Sequence, residues 1–126
     1  MQHSHFALAA AAVIGLALPA LAQDTDFSLT YHVERTPAAR LSIETCGKTV
    51  ADAAASAGLQ GVTQSYPGQL VTVSGGAAPR GAFVVQCIAV GDTTVSVVQG
   101  IDYRAQKGAL GEFADQVFAA IKSAVE

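Results

Sequence analysis

AFVVQCIAV (Ala82–Val90), Gly91-Asp92 and TTVSVVQ (Thr93–Gln99) together decide how this chain folds. Two strongly β-prone runs stand two residues apart, and a Gly-led pair of that length closes a hairpin. The turn predicts a register: Val90 with Thr93, Ile88 with Val95, Cys87 with Ser96 and Gln86 with Val97. Strand side chains alternate between faces. One face therefore carries Phe83, Val85, Cys87, Ala89 and Val98. The other carries Val84, Ile88, Val90, Val95 and Val97. An antiparallel sheet with one wet face alternates more cleanly than this, so the second face is expected to be covered as well. The last helix, a homodimer partner, an unknown protein partner or a ligand are the candidate covers, and these five residues are the candidate interaction face.

Upstream of the hairpin, Val62–Tyr66 and Gln69–Ser74 flank Pro67-Gly68, a type II turn signal, and read as a second hairpin. SGGAAPRG (Ser74–Gly81) reads as a loop. Downstream, Gly108 breaks the chain before a helix expected over Ala109–Val125. Its apolar face holds Leu110, Phe113, Val117 and Ile121. Near the start, FSLTYHV (Phe27–Val33) alternates strictly and predicts a half-buried strand. Phe27, Leu29, Tyr31 and Val33 are expected inside, with Ser28, Thr30, His32 and Glu34 outside.

Thr36-Pro37 follows, an N-cap and first-turn proline pattern, and predicts a helix from Pro37 to Ala57 closed by Gly58. Ala39, Ile43, Cys46, Val50 and Ala54 share its apolar stripe. Arg40, Glu44, Lys48 and Asp52 form a charge ladder on a solvated face, and Leu41 falls outside the stripe. Gly47 in mid-helix costs about 1 kcal/mol against Ala, which a close approach to the sheet would explain. The order is then β-α-β-β-β-β-α. This predicts a two-layer α+β domain with a largely antiparallel five-stranded sheet and two helices. One helix on each sheet face is an alternative arrangement.

Cys46 and Cys87 are the only cysteines. One lies on the helix stripe and the other mid-strand on the Phe83 face, so a disulfide would pin helix to sheet. The bridge closes a 41-residue loop, which the chain-entropy model values at about 4 kcal/mol. Two buried free thiols or a redox pair are the alternatives. A redox pair would normally bring C-x-x-C, which is missing here.

The N-terminus reads as an export address. An apolar run from Phe6 to Leu18 precedes Pro19 and Ala20-Leu21-Ala22, an A-x-A cleavage pattern, and the chain then turns polar. The n-region departs from the pattern in having His3 and His5 but no Lys or Arg. A buried N-terminal helix or a retained anchor are other readings of this run, which is short for a membrane span. Residues 1–22 are thus expected to be a cleaved signal peptide and 23–126 a single periplasmic or secreted domain, with no membrane span after cleavage. An even cysteine count suits that compartment.

Of the 126 residues, 51% are hydrophobic and 13% charged, with a net charge of −3. That balance excludes a disordered chain and offers no basic footprint for nucleic acid. After cleavage His32 is the one remaining histidine and no Met is left. A metal site needs three or four ligands, so neither a metal nor a cofactor is expected. A Ser-His-Asp triad would have to use His32, and neither a G-x-S-x-G elbow nor a phosphate-loop fingerprint is present. No catalytic residue is assigned. Tyr31, His32, Glu34 and Arg35 at one strand, Arg80 in a loop and Tyr103-Arg104 after the last strand form the candidate binding set. Ordinary surface roles are the competing account, and for His32 that means a solvated outward position.

The segment TYHVERTPA (Thr30–Ala38), a helical cysteine soon after it and a second cysteine in a late strand are together similar to small secreted proteobacterial proteins grouped as a family of unknown function. The resemblance spans most of the mature chain and implies no activity and no site. The functional expectation is a non-enzymatic periplasmic binding or protein-interaction module. The alternatives are a small hydrolase using His32 with a neighbouring acid or arginine, and a carrier of a small apolar ligand.

Overall fold

The computed structural model describes residues 26–126, together with Gly15 from the preceding stretch. The signal-peptide expectation for residues 1–22 lies outside the described residues. Seven elements follow in order: β1 (Ser28–Pro37), α1 (Ile43–Ser56), β2 (Gln60–Tyr66), β3 (Leu70–Ala77), β4 (Gly81–Val90), β5 (Thr93–Asp102) and α2 (Ala109–Ser123). The strands form one antiparallel sheet in the spatial order β1-β5-β4-β3-β2. The α+β class and the element order agree with the sequence reading.

The β4–β5 register is the predicted one, with Val90 opposite Thr93 and Cys87 opposite Ser96. Gly91 takes φ 57° at the first turn position, as a two-residue hairpin requires. At Pro67-Gly68, Gly68 takes φ 74° and the Gln69 N–H donates to the Tyr66 carbonyl at 2.9 Å. The expected loop from Ser74 to Gly81 shrinks, because β3 continues to Ala77 opposite Gly81.

Both helices lie on the same face of the sheet, α1 over β2–β4 and α2 over β5 and β1. Between them and the sheet sits the core: Val50, Ala54, Val73, Phe83, Val85, Val98, Leu110, Phe113, Val117 and Ile121, all buried. Phe83 and Phe113 meet edge to face with centroids 4.9 Å apart, a favourable aromatic geometry. Cys46 and Cys87 form the disulfide, with Cα atoms 6.1 Å apart and both residues fully buried. The Ser96 hydroxyl reaches the Cys46 sulfur at 3.4 Å. Gly47 is where α1 touches the sheet, since a Cβ there would stand 2.4 Å from Val71 Cγ1.

Three expectations are corrected. First, α1 begins at Ile43, not Pro37. Pro37 ends β1 opposite Thr93, a position proline tolerates because β1 is an edge strand. The cap is Ser42, whose hydroxyl accepts from the Thr45 N–H at 3.0 Å. Ala39 and Arg40 therefore leave the helix, and the charge ladder reduces to Glu44, Lys48 and Asp52, with Lys48 and Asp52 paired at 2.6 Å. Leu41, freed from helical phase, is 2% exposed in the core. Its carbonyl accepts from the Thr94 hydroxyl at 2.6 Å.

Second, β1 presents its faces the other way round. Residues opposite each other in an antiparallel pair share a face. Val33 stands opposite Val97 and His32 opposite Val98. Tyr31 (64% exposed), Leu29 (49%) and Val33 (46%) therefore point away from the helices. Thr30, His32 and Glu34 point under α2 and are partly covered, so His32 is not a solvated outward residue. Third, the last helix is not the cover of the second sheet face and the helices do not lie one on each side: both pack on the first face, and among the described residues no element covers the second.

Candidate functional site

The larger candidate is the uncovered sheet face. Its outward positions run in rows set by strand pairing. One row is Tyr31–Gln99–Val84–Ser74–Val62, the next Val33–Val97–Gln86–Thr72–Gln64, and the third Arg35–Val95–Ile88–Leu70–Tyr66. The predicted face residues Val84, Ile88, Val90, Val95 and Val97 all lie here, with Val90 exposed at the end of β4. The sequence reading missed Leu29, Tyr31 and Val33 on β1 and Val62 and Tyr66 on β2, which extend the face to both sheet edges. The signal was available as parity within each strand, but parity cannot say which side meets the helices. Arg35 is the one charged residue among the outward strand positions. Four antiparallel pairings hold the backbone in register, so the face is preformed.

The candidate polar residues divide between the two ends and the two faces of the sheet. Tyr31 belongs to the open face. Glu34 and Arg35 line a cleft of about 380 Å³ with Arg40 and Lys122 at the β1 C-terminal end. Arg80, Tyr103 and Arg104 line a cleft of about 410 Å³ at the opposite end, beside Asp102 and Gly108. The structure therefore brings Arg80 to Tyr103 and Arg104, and Glu34 to Arg35, but not the two groups together.

His32 sits apart from both clefts. Its Nε2 hydrogen-bonds Asp115 Oδ1 at 2.8 Å, and its ring stacks on Phe118 at 4.4 Å with planes 4° apart. Lys122 lies over the other part of that stack, 4.4 Å from the Phe118 centroid. Lys107 hydrogen-bonds the second Asp115 oxygen. The Lys107 and His32 hydrogen bonds hold the Asp115 carboxyl below its ordinary value, against a smaller opposing effect of burial. A carboxylate fixed between a lysine and an imidazole ties β1, the α2 approach and α2 together. Asp115 lies 83 residues from His32, and no spacing rule could have paired them.

Asp102 is the other organised acid. It is 2% exposed and accepts backbone N–H bonds from Gly108 (2.7 Å), Leu110 (3.0 Å) and Gly111 (3.0 Å). Burial pushes its carboxyl up, but those three donors and the Arg104 charge outweigh it, and the net direction is down. Gly108 brings no side-chain cap to α2, so Asp102 supplies the cap from the end of β5. A carboxylate at a helix N-terminus also meets the positive end of the helix dipole. This acid is a structural clamp, with both of its oxygens engaged by backbone N–H groups.

Among the described residues, no group of three His, Cys, Asp or Glu side chains is placed to hold a metal ion. No helix among them is long and apolar enough to cross a membrane. No curated protein and no solved structure matches the chain. One family model does match, over residues 26–126, which is the whole described domain with its disulfide and its open face; the chain belongs to the Family of unknown function (DUF6180).

Proposed function

We propose that this protein is a non-enzymatic interaction module that works outside the cytoplasm and binds through the open face of its sheet. The observation that carries the reading is the continuous apolar surface from Tyr31 across Val97, Val84 and Ile88 to Tyr66, which no element among the described residues covers. Contiguous apolar surface of this extent marks interaction sites in soluble proteins. The A-x-A pattern at Ala20–Ala22 supports export to the periplasm, and the Cys46–Cys87 disulfide suits an oxidising compartment. Binding of a hydrophobic dye such as ANS to the folded, oxidised protein tests the face. We expect strong dye fluorescence wherever the face is free, as in dilute protein, lost on Val97→Lys without loss of the circular-dichroism spectrum. A folded protein that leaves the dye dark while it is monomeric would overturn the reading.

The His32–Asp115 hydrogen bond favours a second reading, a small hydrolase with His32 as base, because an orienting carboxylate is what a catalytic imidazole uses. A general ester and phosphoester screen comparing wild type with His32→Ala separates the two. Activity that vanishes with the substitution supports the hydrolase, and activity unchanged by it removes His32 from any mechanism.

A further inference from the structure

We infer that the occupant of the open sheet face is a second copy of this chain, giving a two-fold dimer with sheet packed on sheet; the inference rests on the interaction reading above. Size is the first argument. Five strands spaced about 4.8 Å apart, with roughly eight residues each at about 3.3 Å per residue, present a face of roughly 24 by 27 Å. That is about 650 Å² in projection on each copy, or about 1,300 Å² for the pair before side-chain relief is counted. Stable specific interfaces start at about 1,200 Å², so the face is large enough for a dimer without help from loops or termini.

Chemistry is the second argument. Homodimer interfaces are more apolar than transient ones and exclude charge from their centres. The middle of this face is Gln86 on β4, with Val97, Val84 and Ile88 beside it and Thr72 on the β3 side, and Arg35 is the one charged residue among the outward strand positions. A partner of different sequence would be selected by charge, and Arg35 stands at one edge; the middle offers the neutral side chains of Gln86, Gln99, Thr72 and Ser74, which both donate and accept. A surface of valines around groups that both donate and accept is, by contrast, complementary to itself. Sheets packed face to face interdigitate such side chains at about 10 Å separation.

Symmetry is the third. An isologous contact requires the two-fold axis to lie in the plane between the faces. With the axis along β4, the middle strand, β1 of one copy lies over β2 of the other, and Arg35 comes opposite Tyr66 of the partner subunit. With the axis across the strands at the Val33–Val97 row, β1 lies over β1, and Arg35 comes opposite Tyr31 of the partner subunit. In either setting the charge is brought to an aromatic ring rather than to a like charge, and a guanidinium on such a ring is stabilised.

The experiment is multi-angle light scattering on the full chain expressed in a bacterial host, from about 1 to 100 µM, with ANS binding measured on the same samples. The expected result is twice the chain mass at the upper concentrations with the dye excluded. Val97→Lys and, independently, Tyr31→Glu should give folded monomers with the disulfide intact. Asp52→Lys, on α1 and far from the face, should remain a dimer. A monomer at 100 µM that still binds ANS overturns the dimer and leaves the face to another partner. A monomer that excludes the dye overturns both the dimer and the interaction reading. A dimer unaffected by both face variants overturns this face as its interface.

Discussion

The two faces of the sheet are built from the same residue types and end in opposite states. On the helix side, Phe83, Val85, Cys87 and Val98 are buried beneath α1 and α2. On the far side, Val84, Val95, Val97 and Ile88 are the same strands' alternate residues, and no element among the described residues covers them. Hydrophobicity along β4 and β5 therefore does not distinguish core from surface. What distinguishes them is which parity carries Cys87, because the disulfide commits that parity to α1. Two helices suffice for one face of a five-stranded sheet, and the second apolar face is surplus to folding.

If that asymmetry is right, the largest loss of stability comes from cutting the link that creates it. Replacing both cysteines by alanine, or reducing the bridge, should cost about 4 kcal/mol for a loop of 41 residues. That is a large part of the total for a domain this size. Urea unfolding of the oxidised and reduced protein measures it. A reduced protein equal in stability to the oxidised one would mean that α1 holds the Cys87 face by packing alone.

Next in size is the clamp beneath α2. Asp102→Ala leaves three backbone N–H groups without their acceptor, two of them in bonds that are themselves buried. A lost cap costs up to about 2 kcal/mol and a buried charged acceptor somewhat more, so about 2–3 kcal/mol is expected. The pH dependence has a definite sign. The folded carboxyl is shifted down, so its contribution is complete above the ordinary carboxylate value near 3.8. It is lost as pH falls from there through the lowered value. Wild-type stability should therefore fall with acid in that window more steeply than that of Asp102→Asn, measured by urea midpoints between pH 2 and 5.

How far the sequence could be read follows the same line between local and non-local information. The β4–β5 register was legible because a two-residue turn leaves only one pairing, and the cysteine positions were legible as phase. The start of α1 was not, because Thr36-Pro37 fits a helix entry and the end of an edge strand equally well; pairing with Thr93, far along the chain, decides it. β1 alternates as cleanly as any strand in the protein, yet alternation gives two sets of residues without saying which set faces the helices. The candidate site inherits that limit. Five face residues followed from β4 and β5, while Tyr31 was read as inward and then proved to extend the face. The partner of His32 depended on α2 crossing β1, which no local pattern encodes.

A smaller effect tests how tightly the covered face is closed. Gly47→Ala gains about 1 kcal/mol of helix propensity but places a Cβ 2.4 Å from Val71 Cγ1. Val71 is buried and β-branched, so it has little rotamer freedom to yield. Overpacking of that kind costs about 1–3 kcal/mol, and a net loss of about 1 kcal/mol is expected in thermal unfolding. A gain would show that α1 floats above the sheet and that the covered face is less firmly packed than its burial implies.

The smallest expected effect falls on the open face and depends on concentration. Val97→Thr keeps the shape and the β-propensity of the side chain and changes only its surface chemistry. In a monomer, an outward-facing change of this kind alters stability by less than about 0.5 kcal/mol. In a dimer the same hydroxyl enters a desolvated centre. Because association stabilises the folded state by mass action, the difference between wild type and variant should then grow as the protein is concentrated. Unfolding both proteins at about 1 µM and at about 100 µM separates the cases. The buried counterpart Val85→Thr provides the contrast, since it places a hydroxyl in the core at every concentration and should cost the same at both. A Val97→Thr loss as large as that of Val85→Thr and equally independent of concentration would mean that the face is already covered within a single chain, and the asymmetry between the two sides of the sheet would be lost.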